Sequence, residues 1–302
     1  MRIGPFALRM TRLWLGRSDK KNYGKAKLPD GASVITNVDA LGDGVFCHQI
    51  DIYHPAPNKR INKVILDIHG GGYIYSTRRN NKTFACVFLE KGFDVVTMDY
   101  PLNGKKGRDC LLQIQTLAKQ LRFIYDHADD YGLNRDALFL TGDSAGGHFA
   151  LLLAEMACDP VLANKIGVNL DGVKLKAVAP SCPVYDFIRM VADGRSLTKR
   201  GKKFMFGKGY AEEGFAELLC PRNHLPSLTI PLFLSSCKND FLVQESLDLG
   251  RDLKNTNIPH EFLFVESDDR QVAHIHNVLH IHHPESVRVN DAMVAFFLAH
   301  AE

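Results

Sequence analysis

The stretch Leu138-Phe-Leu-Thr-Gly-Asp-Ser-Ala-Gly-Gly-His148 decides the fold. The apolar run from Ala137 to Leu140 has the length of one buried strand. It breaks at Gly142 and gives way at once to a helical pattern in which Phe149, Leu152, Leu153 and Met156 share a face. Ser144 lies between the two, inside the G-x-S-x-G turn Gly142-Asp143-Ser144-Ala145-Gly146. A strand that turns sharply into a helix forces its corner residue into a strained backbone shape and crowds the neighbouring segments. Side chains at Gly142 and Gly146 would collide there. The corner serine is lifted out of the sheet at a helix N-terminus, whose free N–H groups favour developing negative charge. In that context Ser144 reads as a nucleophile rather than part of an ordinary turn.

Working outward, Lys63 to Ile68 is a second buried-strand run, and His69-Gly70-Gly71-Gly72-Tyr73 follows it directly. Ser33 to Val38 and Val45 to Tyr53 read as two strands joined through the turn sequence Leu41-Gly42-Asp43-Gly44. Further strands are expected at Phe93 to Met98, Leu175 to Ala179, Pro231 to Ser235 and Glu261 to Val265. Helices are expected near Lys82 to Lys91, from Cys110 to Tyr131 and from Asn290 to His300. Strands alternating with helices argue for an α/β fold: a mostly parallel central sheet, begun by an antiparallel hairpin, with helices on both faces. Ligands in such sheets sit beyond the carboxyl ends of the strands. Both glycine-rich turns fall at those ends.

Two stretches stand outside the alternation. Residues 185–228 are longer than a crossover helix needs and mix Arg189, Arg195, Lys199, Arg200, Lys202, Lys203 and Lys208 with Phe187, Met190, Phe204, Met205 and Phe206. They read as a helical lid inserted into a main domain of residues 31–302, with the basic residues on its solvated face. Residues 1–30 form an N-terminal segment in which Arg2, Arg9, Arg12 and Arg17 interrupt Phe6, Leu8, Leu13, Trp14 and Leu15. That pattern suits an amphipathic helix packed on the domain or at the site mouth better than a signal peptide. Stable membrane insertion is not expected, since no apolar run reaches the length of a span.

Composition narrows the function classes. Apolar residues at 45% and charged residues at 24% are ordinary globular values, and a net charge of +3 gives no footprint for nucleic acid. Seven cysteines occur without a C-x-x-C pair, so a zinc ribbon or redox motif is unsupported and a reducing, cytoplasmic setting is expected. Asn81-Lys82-Thr83 matches a glycosylation acceptor only formally.

A serine hydroxyl needs a base to take its proton and donors for the oxyanion it creates. Three consecutive glycines are costly in chain entropy and make sense where bare N–H groups must approach a ligand. Gly71 and Gly72, with the Ala145 N–H, could form a three-donor oxyanion hole. Asp240 ends the strand run that starts at Pro231 and follows the serine in sequence, as a triad acid would. For the base, His274, His276, His280, His282 and His283 crowd one loop. A metal site among them is not expected, because no cysteine pair or H-E-x-x-H accompanies them.

Taken together, His69-Gly-Gly-Gly-Tyr73, Gly142-Asp-Ser-Ala-Gly-Gly147, the strand-end Asp240 and the late histidine loop resemble the hormone-sensitive-lipase-like branch of the α/β-hydrolases. The likeness runs from about Val34 to the end of the chain. It implies a carboxylesterase-type enzyme with a helical cap, with Ser144 as nucleophile, Asp240 as acid and Gly71, Gly72 and Ala145 as oxyanion donors. Matching the family's His-x-Phe segment onto His274-Ile275-His276 implies His274 as base, with His276 the runner-up. The segment Asp99-Tyr100-Pro101-Leu102-Asn103 keeps only part of the family's Asp-Tyr-Arg-Leu-Ala-Pro.

The expected activity is hydrolysis of small carboxylic esters carrying short acyl groups, with no cofactor or metal. An amidase or peptidase using the same triad, and a non-catalytic binding module, are the rivals. Tyr73 and His276 are the candidate pocket residues, with Phe187, Phe204 and Phe206 as further bulk. The expected partner is a small-molecule ester, and an exposed edge strand at Glu261 to Val265 could pair two subunits as a homodimer.

Overall fold

A computed structural model describes residues 3–13, 27–192 and 197–302. Arg2, Trp14, Leu15, Arg17 and Arg195, named above, lie outside the described residues. The chain begins with a helix over residues 5–13 (α1), then β1 (Ser33–Asp39), β2 (Gln49–His54), β3 (Val64–Ile68), α2 (Lys82–Glu90) and β4 (Asp94–Met98). It continues through α3 (Cys110–Asp126), β5 (Leu138–Asp143), α4 (Ala145–Cys158), α5 (Pro160–Ile166) and β6 (Ala177–Ser181). Four short helices follow: α6 (Phe187–Ala192), α7 (Lys199–Phe206), α8 (Phe215–Leu218) and α9 (Pro221–His224). The last part holds β7 (Leu232–Cys237), α10 (Val243–Leu253), β8 (His260–Val265), α11 (His276–Leu279) and α12 (Pro284–Ala299).

The strands make one eight-stranded sheet in the order β1-β2-β4-β3-β5-β6-β7-β8. β2 runs antiparallel to β1 and β4, and the remaining pairs are parallel. The strands β3 to β7 are buried on both faces, and their side chains alternate between two cores as a period of two requires. Leu66, Leu140 and Leu234 join α3, α4 and α10 on one face. Ile65, Phe139 and Phe233 meet α2 and α12 on the other. From β3 the chain steps outward to β4 and then crosses back to β5 on β3's other side. A crevice opens at such a reversal, beyond the carboxyl ends of the strands. Ile68 of β3 pairs with Gly142 of β5, so His69 to Gly72 and Ser144 emerge side by side there.

Three boundaries differ from the sequence expectation. Residues 46–48 form a 3-10 turn, and β2 starts only at Gln49. The Asp39 carboxylate accepts the Gly42 and Gly44 N–H groups and Asp43 accepts that of Val45, which holds this connection as a loop rather than a tight hairpin. α3 stops at Asp126, and a separate 3-10 turn at Asp129–Tyr131 closes on Gly132 at φ 62°. α12 begins at Pro284, with His283 accepting the Glu285 N–H as its cap.

Residues 185–228 hold α6 to α9 over the strand ends. Arg189 of α6 is tied to Glu245 at 2.6 Å and Asp248 at 2.5 Å on α10. Lys199, Arg200, Lys203 and Lys208 are exposed. Leu8 of α1 packs on Ile74 and Phe204, and Ile3 bridges to Leu197. No helix among the described residues is long and apolar enough to cross a membrane.

Candidate active site

Ser144 sits at the corner between β5 and α4 with φ 54° and ψ −115°, a conformation few L-residues adopt. The corner is held because its N–H donates to the Ser181 carbonyl at 2.9 Å. Close packing explains the flanking glycines. A Cβ on Gly146 would fall 2.0 Å from the Ile68 carbonyl oxygen, and one on Gly142 would fall 2.5 Å from that of Gly146.

The glycine loop after β3 faces this corner. Gly71 and Gly72 have φ of 108° and 56°, and a Cβ on Gly71 would lie 2.3 Å from the Tyr75 carbonyl oxygen. Asp143 clamps the loop to the serine turn. Its Oδ1 accepts from the Gly70 N–H at 3.1 Å and from Asn81 Nδ2 at 3.0 Å. Burial pushes the Asp143 carboxyl up, against the opposing pull of Asn81, His69 and the Gly70 N–H. His69 is fully committed to structure: its Nε2 meets Asp99 Oδ1 at 3.2 Å, and Tyr100 stacks on its ring at 4.3 Å. Asp99 is held in turn by the buried Arg78, at 2.6 Å. Asp99 and Tyr100 thus brace the start of the glycine loop through His69.

Asp240 lies on the loop after β7, with Oδ1 accepting from the Leu242 N–H at 2.8 Å and Oδ2 from the Ser236 hydroxyl at 3.0 Å. His274 Nδ1 meets Asp240 Oδ1 at 2.6 Å, and its Nε2 meets Ser144 Oγ at 2.9 Å. Burial alone would raise the Asp240 carboxyl, but the hydrogen bond and charge of His274, the Leu242 N–H and the Cys182 thiol together hold it below the usual carboxylate range. Asn239 laces the acid loop to the histidine loop through the Ser267 and Val272 carbonyls, at 2.9 and 3.1 Å. A hydroxyl, an imidazole and a buried carboxylate in this order can move a proton from the hydroxyl as it attacks a carbonyl.

A cavity of about 790 Å³ opens over Ser144 and His274. Gly70, Gly71, Gly72 and Ala145 line it, as do Ile3, Leu8, Leu197 and Met205. Tyr73 is among the residues that line it. His276 is not: it is buried, its Nδ1 bonds to Ser286 Oγ at 2.9 Å, and its side chain has turned into the body of the domain. The intervening Ile275, at φ 52°, sends the two histidines in different directions. Phe187 and Phe206 likewise stand behind Tyr73, in ring contact at 5.9 Å, rather than in the cavity wall. His283 pairs with Asp269, so the histidines of this loop do not converge on one point. Asn81 is buried against Asp143, where a glycan has no room.

Three residues at the site escaped sequence reasoning. Asn81 steadies Asp143, Phe241 lies against the His274 ring at 4.1 Å, and Cys182 sits beside Asp240 and His274. Position at a strand's carboxyl end marks Cys182, directly after β6, and Phe241 follows the acid in sequence. Asn81 carries no such signal.

The BD-FAE family model matches residues 50–253. Among curated proteins, the chain is 24% identical over 161 residues to Lipase 2 of Moraxella sp. (strain TA144), covering 51% of this chain and 36% of that protein. It is 24% identical over 192 residues to Esterase LipQ of Mycobacterium tuberculosis, covering 62% of this chain and 44% of that one. The chain therefore spans under half the length of the curated relatives it matches. Among solved structures, Esterase B from Lactobacillus rhamnosis (HN001) superposes with a TM-score of 0.87 at 25% identity, covering 97% of this chain and 94% of that one.

Proposed function

The chain belongs to the BD-FAE family, and on that basis we propose that it is a carboxylic ester hydrolase working through Ser144, His274 and Asp240. The observation that carries this reading is the unbroken relay from Ser144 Oγ to His274 Nε2 at 2.9 Å and from His274 Nδ1 to Asp240 Oδ1 at 2.6 Å. Ser144 attacks the ester carbonyl while His274 takes its proton. Asp240 fixes the imidazole tautomer and stabilises the imidazolium that forms. The tetrahedral oxyanion is held by the N–H groups of Gly71, Gly72 and Ala145, the last at the N-terminus of α4. His274 then protonates the departing alcohol, leaving an acyl-enzyme on Ser144, and water repeats the sequence to release the acid. We take the substrates to be small esters with short acyl groups, with Ile3, Leu8, Leu197 and Met205 among the cavity residues that would bound the acyl chain.

The experiment is turnover of a graded p-nitrophenyl ester series by the wild-type chain and by Ser144→Ala. The variant is expected to fold normally and to lose roughly 10³-fold or more of the hydrolysis rate. Wild-type turnover in a contaminant-free preparation of the variant would overturn the assignment. The acyl series is expected to peak at acetyl to butyryl esters. A kcat/KM that keeps rising to dodecanoyl would overturn the short-acyl reading alone.

A further inference from the structure

Cys182 directly follows β6 and lies beside the acid and the base. Its sulfur, an Asp240 carboxylate oxygen and a His274 ring nitrogen all lie within 4.8 Å of one another. The Ile275 N–H, one residue beyond the base, donates to the Cys182 sulfur at 3.4 Å. The backbone around it is unusual. Cys182 has φ 46° and Ile275 has φ 52°, so two side-chain-bearing residues in left-handed conformations face each other across this contact. Such conformations persist only where the surroundings over-determine them. Here the Cys182 N–H donates to the Ser235 carbonyl at 2.9 Å, while the preceding Ser181 carbonyl accepts the Ser144 N–H at 2.9 Å. One short segment therefore touches the nucleophile turn, the strand before the acid loop and the base loop.

We propose that Cys182 is a positioning residue for the triad: its thiol donates toward the Asp240 carboxylate, its sulfur receives the Ile275 N–H, and it thereby fixes the acid and the base relative to each other. The proposal rests on the triad reading above. Burial pushes the thiol well up, so it keeps its proton and remains a donor. A thiol is a weak donor and a weak acceptor, but both of its contacts are shielded from water, where a lost partner is not replaced. The other groups on Asp240, the Leu242 N–H and the Ser236 hydroxyl, come from the acid's own strand and loop. Cys182 comes from β6 and also grips the histidine loop, which neither of those groups does.

Three substitutions test this in the full chain. Cys182→Ser keeps a donor and an acceptor. Cys182→Ala removes them and keeps the left-handed conformation. Cys182→Gly removes them and suits that conformation. Ala and Gly are each expected to lower kcat roughly tenfold, from an unpartnered Ile275 N–H and a looser acid, with KM within twofold of wild type. Ser is expected to recover most of the loss. In an Asp240→Asn background the Ala and Gly effects should be smaller than in the wild-type background, because the part that Cys182 exerts through the acid is already lost. Wild-type kcat in Cys182→Gly, or an equal drop with and without Asp240, would overturn the proposal. Should Ala unfold, the Gly and Ser pair decides alone. Wild-type activity in Asp240→Asn itself would instead sink the triad, a separate and recognisable failure.

Discussion

At the scale of single residues, the histidines separate by environment rather than by type. His274 is open to the cavity and paired to a carboxylate, whereas His148 is sealed within α4. Its Nε2 faces the Leu219 carbonyl at 2.7 Å and its Nδ1 the Tyr73 hydroxyl at 3.1 Å. That arrangement assigns the proton to Nε2 and makes Nδ1 an acceptor. Burial holds His148 at about 4. A folded value below the unfolded one means that the unfolded chain binds the proton first, so stability is fully present above about pH 6.5 and is lost as pH falls toward 4. The contribution is about 3 kcal/mol. The melting temperature should drop between pH 7 and pH 5, and His148→Gln should flatten that slope. An unchanged slope in the variant would place the effect elsewhere. His276 makes the complementary case: it sits outside the cavity, so His276→Ala should lower stability while leaving kcat within a fewfold of wild type. Sequence spacing alone could not separate His274 from His276, because the distinction is made by the left-handed Ile275 between them. Ser144 and Asp240 were legible because their strands read cleanly. Cys182 offered only its place at a strand end, because its role is set by segments distant in the chain.

At the scale of elements, the lid is fastened rather than loose. Arg189 on α6 reaches Glu245 and Asp248 on α10, and both carboxylates are nearly sealed from solvent. Removing the guanidinium leaves, among the described residues, the buried Glu245 without a cation and Asp248 with Arg251 alone, at 2.7 Å, which costs more than an exposed pair is worth. Arg189 also borders the cavity, so the same change touches substrate binding. Arg189→Ala is expected to lower stability by about 2 kcal/mol and to raise KM with little change in kcat, measured by urea unfolding and initial rates. A stable variant with unaltered KM would mean that α6 is held by its apolar contacts alone. The strands and helices themselves were readable wherever burial on both faces gave continuous apolar runs, as in β3, β4 and β5. The errors fell where polar side chains set the boundary. Asp39 and Asp43 converted an expected hairpin into a loop, and the cap at His283 with Pro284 started α12 earlier than its apolar pattern did.

At the scale of the molecule, two large cores flank the sheet and a third, small cluster touches the first of them only through the half-buried Leu197 and Met205. That third cluster joins Leu8 of α1 to Ile74 beside the glycine loop and to Phe204 of α7. Its members come from the three segments around the cavity mouth, so it serves the site more than the fold. Stability and substrate access should then respond to different substitutions. Phe149 is fully buried in α4 within the main core, and Phe149→Ala should cost about 3 to 5 kcal/mol of global stability. Leu8 lies on a helix that exposes Phe6, Met10 and Leu13 and can open locally without unfolding the sheet. Leu8→Ala should therefore shift the urea midpoint by an amount corresponding to about 1 kcal/mol or less, while raising KM for the esters that fill the cavity. Paired urea titrations and kinetics on the two variants test the separation. If Leu8→Ala moves the global midpoint as far as Phe149→Ala does, the N-terminal helix is part of the cooperative fold and not an attachment to the mouth of the site.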